Sequence, residues 1–145
     1  MKKILTLVVM FLAVVSAGAE TKNGVELKAG GNQLQVTFYS PQIVRVQKCP
    51  ESKPMPAIQS EVVTMTPLSD FDVKIQEGSS AIKMSSSALT VTIDKRSGLV
   101  QFAAPGKNLL KEKNIGFEER TEGSDKGRYI VTHTYQLDKD EAIYG

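Results

Sequence analysis

The sequence predicts an all-β fold: an antiparallel β-sandwich, incomplete at its C-terminal end and preceded by a signal-peptide helix. Three observations carry this reading. Apolar residues recur with period two along nearly the whole chain after residue 30, which is the signature of half-buried strands. The connectors between those runs are short and rich in Gly, Asn, Asp and Ser, and short connectors join antiparallel neighbours because a parallel crossover needs about a dozen residues. The N-terminus has the layout of an export leader.

That leader starts with Lys2 and Lys3, continues through an apolar run from Ile4 to Ser16, and ends in Ala17-Gly18-Ala19, a small-x-small cleavage pattern. The apolar run is shorter than the roughly 20 residues a membrane-crossing helix needs. Residues 1–19 are therefore expected to be a signal peptide and residues 20–145 a β-sandwich domain, with cleavage after Ala19 leaving Glu20 as the new N-terminus. No cysteine follows the small residues to accept a lipid. The mature product is expected to be periplasmic or secreted, with no membrane attachment after cleavage.

Leu34, Val36 and Phe38 mark the first clear strand, and the run resumes from Ile43 to Val46 after Ser40-Pro41. The alternation returns in Val73 and Ile75, Ile82 and Met84, Leu89 to Ile93, Val100 and Phe102, and from Tyr129 to Leu137. Between them lie Gly30-Gly31-Asn32, Glu77-Gly78-Ser79, Asp94-Lys95-Arg96-Ser97-Gly98 and Pro105-Gly106-Lys107-Asn108, all turn chemistry. Pro50 to Pro56 reads as an irregular loop, Gly123 to Gly127 as a polar loop, and Asn108 to Asn114 as the one place for a turn of helix. The chain stops at Gly145 directly after an apolar pair, and we expect the sandwich to be cut short there.

Charge and composition exclude several functions. The 18 basic and 16 acidic residues are interspersed, and losing Lys2 and Lys3 with the leader brings the basic count down to the 16 acids. A neutral chain without a basic stripe is not a nucleic-acid binder. Cys49 is the only cysteine, so no internal disulfide staples the core. Tryptophan is absent, which removes the best sugar-stacking face. No cofactor motif and no metal-ligand spacing is found.

Ile43-Val44-Arg45-Val46, Leu89-Thr90-Val91-Thr92-Ile93, Ser97-Gly98-Leu99-Val100-Gln101-Phe102, Gly106-Lys107-Asn108-Leu109-Leu110-Lys111-Glu112 and Asp140-Glu141-Ala142-Ile143-Tyr144-Gly145 occur in this order. The ordered set resembles the N-terminal β-sandwich of glycoside hydrolase family 31, the α-glucosidases and α-xylosidases, a sandwich related to the galactose-mutarotase-like fold. The resemblance implies a following (β/α) catalytic barrel in the same chain and an oligosaccharide substrate for the whole protein. In that family Tyr-Gly runs on into Leu-Gly-Glu or a variant, and the two catalytic aspartates lie in the barrel, with no counterpart among residues 1–145. Retaining chemistry needs two carboxyl groups about 5 to 5.5 Å apart, so this chain is expected to hold no catalytic residue.

The side chains that invite a functional claim have plainer readings. Asp138 and Asp140 share a strand face about 6.5 to 7 Å apart but sit in a polar run with Lys139 and Glu141, as solvated hairpin charges do. Glu118 and Glu119 are adjacent and point to opposite faces of a strand. His133, the sole histidine, lacks ligand or triad partners nearby in sequence and reads as a structural strand residue. Cys49, before Pro50 in a loop, reads as an inert thiol. Arg45 should face away from Val44 and Val46, toward a carboxylate or the following barrel. Ile143 and Tyr144 read as apolar contacts at a domain junction.

The leading expectation is thus a non-catalytic N-terminal domain of an exported retaining α-glycosidase acting in carbohydrate metabolism, bracing the barrel and helping to shape its sugar pocket. The alternatives are a free-standing exported carbohydrate-binding or adhesion sandwich, and a periplasmic protein holding an apolar ligand between its sheets. Substrate-binding residues are not identifiable from the sequence.

Overall fold

The computed structural model describes residues 19–21, 23–56 and 65–137. Ten strands follow one another: β1 (Ala19–Thr21), β2 (Gly24–Ala29), β3 (Asn32–Ser40), β4 (Ile43–Pro50), β5 (Lys74–Glu77), β6 (Ala81–Ser85), β7 (Thr90–Asp94), β8 (Val100–Ala104), β9 (Lys107–Glu119) and β10 (Tyr129–Gln136). They form two antiparallel sheets, one in the order β1-β2-β3-β4 and the other β10-β9-β8-β7-β6-β5. The expected antiparallel sandwich is what is seen. The signal-peptide helix, with Ala17 of the cleavage pattern, lies outside the described residues. Ala19 and Glu20 fall on β1, where they pair with Glu26 and Val25.

Period-two alternation places one apolar set from each sheet face to face. Val25, Leu34, Val36 and Phe38 from the smaller sheet meet Ile82, Met84, Val91, Ile93 and Val100 from the larger, and all are buried. β3 shows why the sequence was readable: Leu34, Val36 and Phe38 are buried while Gln33, Gln35 and Thr37 between them are half-exposed.

The helical turn expected over Asn108–Asn114 is not formed. These residues lie inside the long strand β9, paired to β8 on one side and β10 on the other. Two bulges hid the strand from a periodicity reading. Leu109 has no partner on β8 where the register shifts at Phe102/Ala103, and Lys113 has none on β10 where it shifts at Thr134/Tyr135. Each extra residue breaks the alternation and bends the strand, yet Leu110, Glu112, Ile115 and Phe117 all line the same cleft. Cys49 likewise lies in β4, not in a loop, because pairing of β4 with β3 continues to Pro50.

Two turns lock the sheets together at one end. Gly30 and Gly31 join β2 to β3 with φ of 59° and 76°, the positive pair that a two-residue type I′ hairpin requires. Glycine is needed at Gly30 for space as well, since a Cβ there would stand 2.3 Å from the Ser97 carbonyl oxygen in the β7–β8 turn. That second turn is organised by Asp94, whose Oδ1 accepts from Ser97 N at 2.7 Å, Ser97 Oγ at 2.8 Å and Arg96 N at 3.1 Å. These bonds, the Ser97 backbone one foremost, hold the Asp94 carboxyl below the usual carboxylate range.

Two outcomes follow from these turns. Gly30→Ala should destabilise the domain by about 2–3 kcal/mol, through an unfavourable φ and the clash with Ser97, as read by chemical denaturation. Asp94, with a lowered folded-state pKa, contributes stability that is complete above its unfolded value of about 3.9 and is lost as pH falls through the folded value. The stability gap between the native protein and Asp94→Asn should therefore be widest near neutrality and close below about pH 4; a gap that widens on acidification would refute this.

Candidate functional site

β4 is the last strand of the smaller sheet, and its inward positions Val44, Val46 and Lys48 follow the same parity. The third is a lysine at a place where the pattern calls for an apolar side chain. Its side chain is only 4% exposed and is ion-paired with Glu112 of β9, which is 2% exposed. Burying both charges is tolerable only if each is paired and its remaining hydrogen-bonding capacity used. Here it is. Lys48 Nζ donates to the Gly98 carbonyl at 2.9 Å, and Glu112 Oε2, besides meeting Lys48, accepts from the Val100 backbone N–H at 2.7 Å.

The other carboxylate oxygen continues the network onto β10. Glu112 Oε1 lies 2.8 Å from His133 Nε2, and His133 Nδ1 lies 2.9 Å from the Tyr135 hydroxyl, with the two rings 4.3 Å apart between centroids. With Nε2–H donating to the carboxylate, Nδ1 accepts from the Tyr135 hydroxyl, and every group has a partner. Burial, and secondarily the negative charge of Glu112, pushes the Tyr135 phenol above its ordinary value. Among the described residues no buried side-chain polar atom lacks a hydrogen bond.

Above this network the sandwich is open. β4 has no neighbour on its outer side among the described residues, so β9 and β10 extend past it and leave a cleft of about 400 Å³. Val46, Phe102 and Leu110 wall one part, Ile115, Phe117 and Val131 another, and Lys48, Glu112, His133 and Tyr135 supply the polar surface. Val131 is 56% exposed and the His133 side chain 31%. A smaller hollow of about 280 Å³ involves Thr92, Gln101 and Lys111 of β7, β8 and β9.

Among the described residues the cleft is lined by a single carboxylate, that of Glu112, and by no pair of acids that could flank a glycosidic bond. Nor do the described residues gather three or more His, Cys, Asp or Glu side chains in one place. What the arrangement does is clamp β4 of one sheet to the β7–β8 turn, β8, β9 and β10 of the other.

The other residues singled out from sequence are scattered. Cys49 is buried, with Sγ near the Lys53 carbonyl and the Met55 sulfur, and burial pushes its thiol up. Arg45 does turn from the side of Val44 and Val46, but its partner is the Tyr39 hydroxyl at 3.0 Å. Glu119 approaches Lys53 and the Tyr129 hydroxyl, while Glu118 pairs by backbone with Ile130. Asp138, Asp140, Ile143 and Tyr144 lie outside the described residues. Sequence reasoning missed Lys48, Glu112 and Tyr135 as network members, and it found His133 without its partners. The available signal was parity at Lys48, a charged residue in step with the inward positions Val44 and Val46.

Residues 33–145 match the model of the glycosyl hydrolase 31 N-terminal galactose mutarotase-like domain. The chain belongs to this family. A solved structure similar to this GH31 N-terminal domain is that of the GH31 α-xylosidase from Xanthomonas citri, at 20% sequence identity and a TM-score of 0.68. The match covers 83% of this chain but 14% of the xylosidase chain. No curated protein matches in sequence.

Removing one member of the buried pair should be costly. Lys48→Met leaves Glu112 without its cation and should destabilise the domain by about 3–5 kcal/mol, whereas Lys48→Met combined with Glu112→Leu should restore much of the loss. Denaturant midpoints for both variants and for Glu112→Leu alone complete the cycle. A double variant no more stable than the worse single one would show that the clamp is not a coupled unit.

Proposed function

We propose that this domain is the non-catalytic N-terminal sandwich of an exported retaining α-glycosidase of the α-glucosidase or α-xylosidase type. In that role it braces a catalytic barrel and helps to shape the mouth of its sugar pocket. The family match over residues 33–145 carries the reading. Three further points support it. The similar α-xylosidase is far longer than this chain, which leaves room in such a protein for a separate catalytic unit. The cleft offers one carboxylate, already engaged by Lys48, Val100 and His133, where a glycosidase needs two free to act on the sugar. The leader pattern from Lys2 to Ala19 supports export.

The chemistry then belongs to the barrel, and the sandwich acts by position. A scaffold that must hold its shape against a second domain gains from an inter-sheet clamp, because the edge strand β4 cannot slide without parting Lys48 from Glu112 and leaving a buried charge unpaired. The sugar released or accepted is set by barrel loops in such a protein, not by this domain.

Purified residues 20–145 should give no turnover of aryl α-glucosides or α-xylosides above the uncatalysed rate, while the same sequence joined to its barrel should hydrolyse one of them. Turnover by the sandwich alone would overturn the reading. Tight binding of free sugars by the sandwich would favour an independent carbohydrate-binding domain instead. Protein recovered from an exporting host should begin at Glu20; recovery of a membrane-bound form that retains Met1 would contradict export as a processed protein.

A further inference from the structure

We propose that the outer face of the larger sheet binds a linear acidic polysaccharide, a polymer of uronic acid residues. The register of the six strands carries the inference. Gln76 of β5 stands opposite Lys83 of β6, Lys83 opposite Thr92 of β7, Thr92 opposite Gln101 of β8, Gln101 opposite Lys111 of β9, and Lys111 opposite Gln136 of β10. Residues opposite one another share a face, so these six side chains form one row across the whole sheet. The row beside it, Ile75, Met84, Val91, Phe102 and Leu110, points the other way into the core and the cleft, which puts the polar row on the outside. Gln76, Lys83, Lys111 and Gln136 are exposed there, and Thr92 and Gln101 half-exposed. The next outward row, Lys74, Ser85, Thr90, Ala103 and Asn108, is polar too except at Ala103.

Charge and chemistry name the ligand. Neither row contains an acid, and Lys74, Lys83 and Lys111 have no ion-pair partner among the described residues. Asp94, two residues beyond Thr92, is the carboxylate that β7 adds to this face, and its Oδ1 is engaged by Ser97 and Arg96 of its own turn. The face is therefore positive although the chain as a whole is nearly balanced. Thr92, Gln101 and Lys111 line the hollow of about 280 Å³, so the middle of the row is concave. Lys83 and Lys111 stand three strand spacings apart, about 14 Å. At that separation salt screens them from one another, yet both can meet the same polyanion. A uronic acid polymer has a carboxylate on every sugar and hydroxyls between, which matches ammonium groups set among amides and a threonine hydroxyl. Single-stranded nucleic acid fits less well, because neither row has an aromatic face for a base to stack on. A neutral glycan would leave the lysines unused. This surface is on the side of the sheet away from the cleft, and the inference does not depend on the role proposed for the barrel.

Titration of the intact chain with fluorescently labelled polygalacturonate tests this, beside the same polymer with its carboxylates methyl-esterified, polyglutamate and single-stranded DNA. Binding is expected to polygalacturonate in preference to all three, and to be lost as salt is raised to about 1 M, where screening acts over about 3 Å. Lys83→Gln and Lys111→Gln should each weaken it about threefold to fivefold, and together about tenfold or more. Lys28→Gln, at an exposed lysine of the smaller sheet, should leave it unchanged. Gln101→Glu, which sets a carboxylate in the middle of the row, should weaken it as much as the double variant. All four substitutions are at strand surfaces, and unchanged melting temperatures show that the fold is kept. No binding to polygalacturonate overturns the proposal, as do equal binding to the methyl ester, equal binding to polyglutamate or DNA, and indifference to the Lys83 and Lys111 substitutions. None of these readouts involves hydrolysis of a glycoside, so their failure leaves the α-glycosidase reading standing, and failure of that reading leaves this one.

Discussion

The Lys48–Glu112 pair is the constraint on which the open side of this sandwich depends. The closed side holds by ordinary means: Leu34, Val36 and Phe38 interdigitate with Met84, Val91 and Ile93, and burial of apolar area needs no further explanation. At β4 that mechanism runs out. The strand is half-buried, one side of it has no neighbour among the described residues, and the sheet opposite is wider by two strands. A buried ion pair between charged groups is not inherently stabilising, but it is selective in geometry. The lysine reaches two places, Glu112 and the Gly98 carbonyl, that lie on different elements of the facing sheet. β4 is thereby fixed in direction and height, as a slippery apolar contact would not fix it.

The network also ties the clamp to the turns. Gly98, whose carbonyl accepts from Lys48, closes the turn that Asp94 organises, and Ser97 of that turn sits against Gly30 of the β2–β3 hairpin. A disturbance at Glu112 therefore has a short physical route through Val100 and Gly98 to the hairpin on the other sheet. The links on that route are hydrogen bonds from Val100 N–H to the Glu112 carboxylate and from the Lys48 ammonium to the Gly98 carbonyl, and at Gly30 there is no room beside Ser97 even for a Cβ, which leaves little slack for relaxation.

How much of this was legible in the sequence depended on parity. β3 and β10 alternate without interruption over their inward faces, and both were readable as strands; the glycine turns were readable from their composition. β9 was not, because its two bulges shift the phase of alternation twice within one strand, at Leu109 and again at Lys113. Losing the phase of β9 meant losing Glu112, since nothing marked it as inward-facing. His133 looked partnerless for the same reason: its partner lies 21 residues away in sequence, across a bulge. Lys48 carried the one usable clue, a charged residue in step with Val44 and Val46. Such a residue must either snorkel to solvent or meet an opposite charge.

The likeness to the xylosidase gives this a wider consequence. At 20% identity and a TM-score of 0.68, four residues in five differ while the path of the backbone is kept. Inward apolar positions can exchange Val, Ile, Leu and Met one at a time, because a volume change of a methylene is absorbed nearby. A buried ion pair has no such freedom, for any single replacement strands the other charge. Lys48 and Glu112 should therefore change together or not at all, and a member of the family with an apolar residue at one of these positions should have an uncharged residue at the other. The fold is thus specified in two ways at once: loosely across its core, where many sequences serve, and tightly at one point on its open side, where the two sheets are held in register by a pair that only a coordinated change can replace.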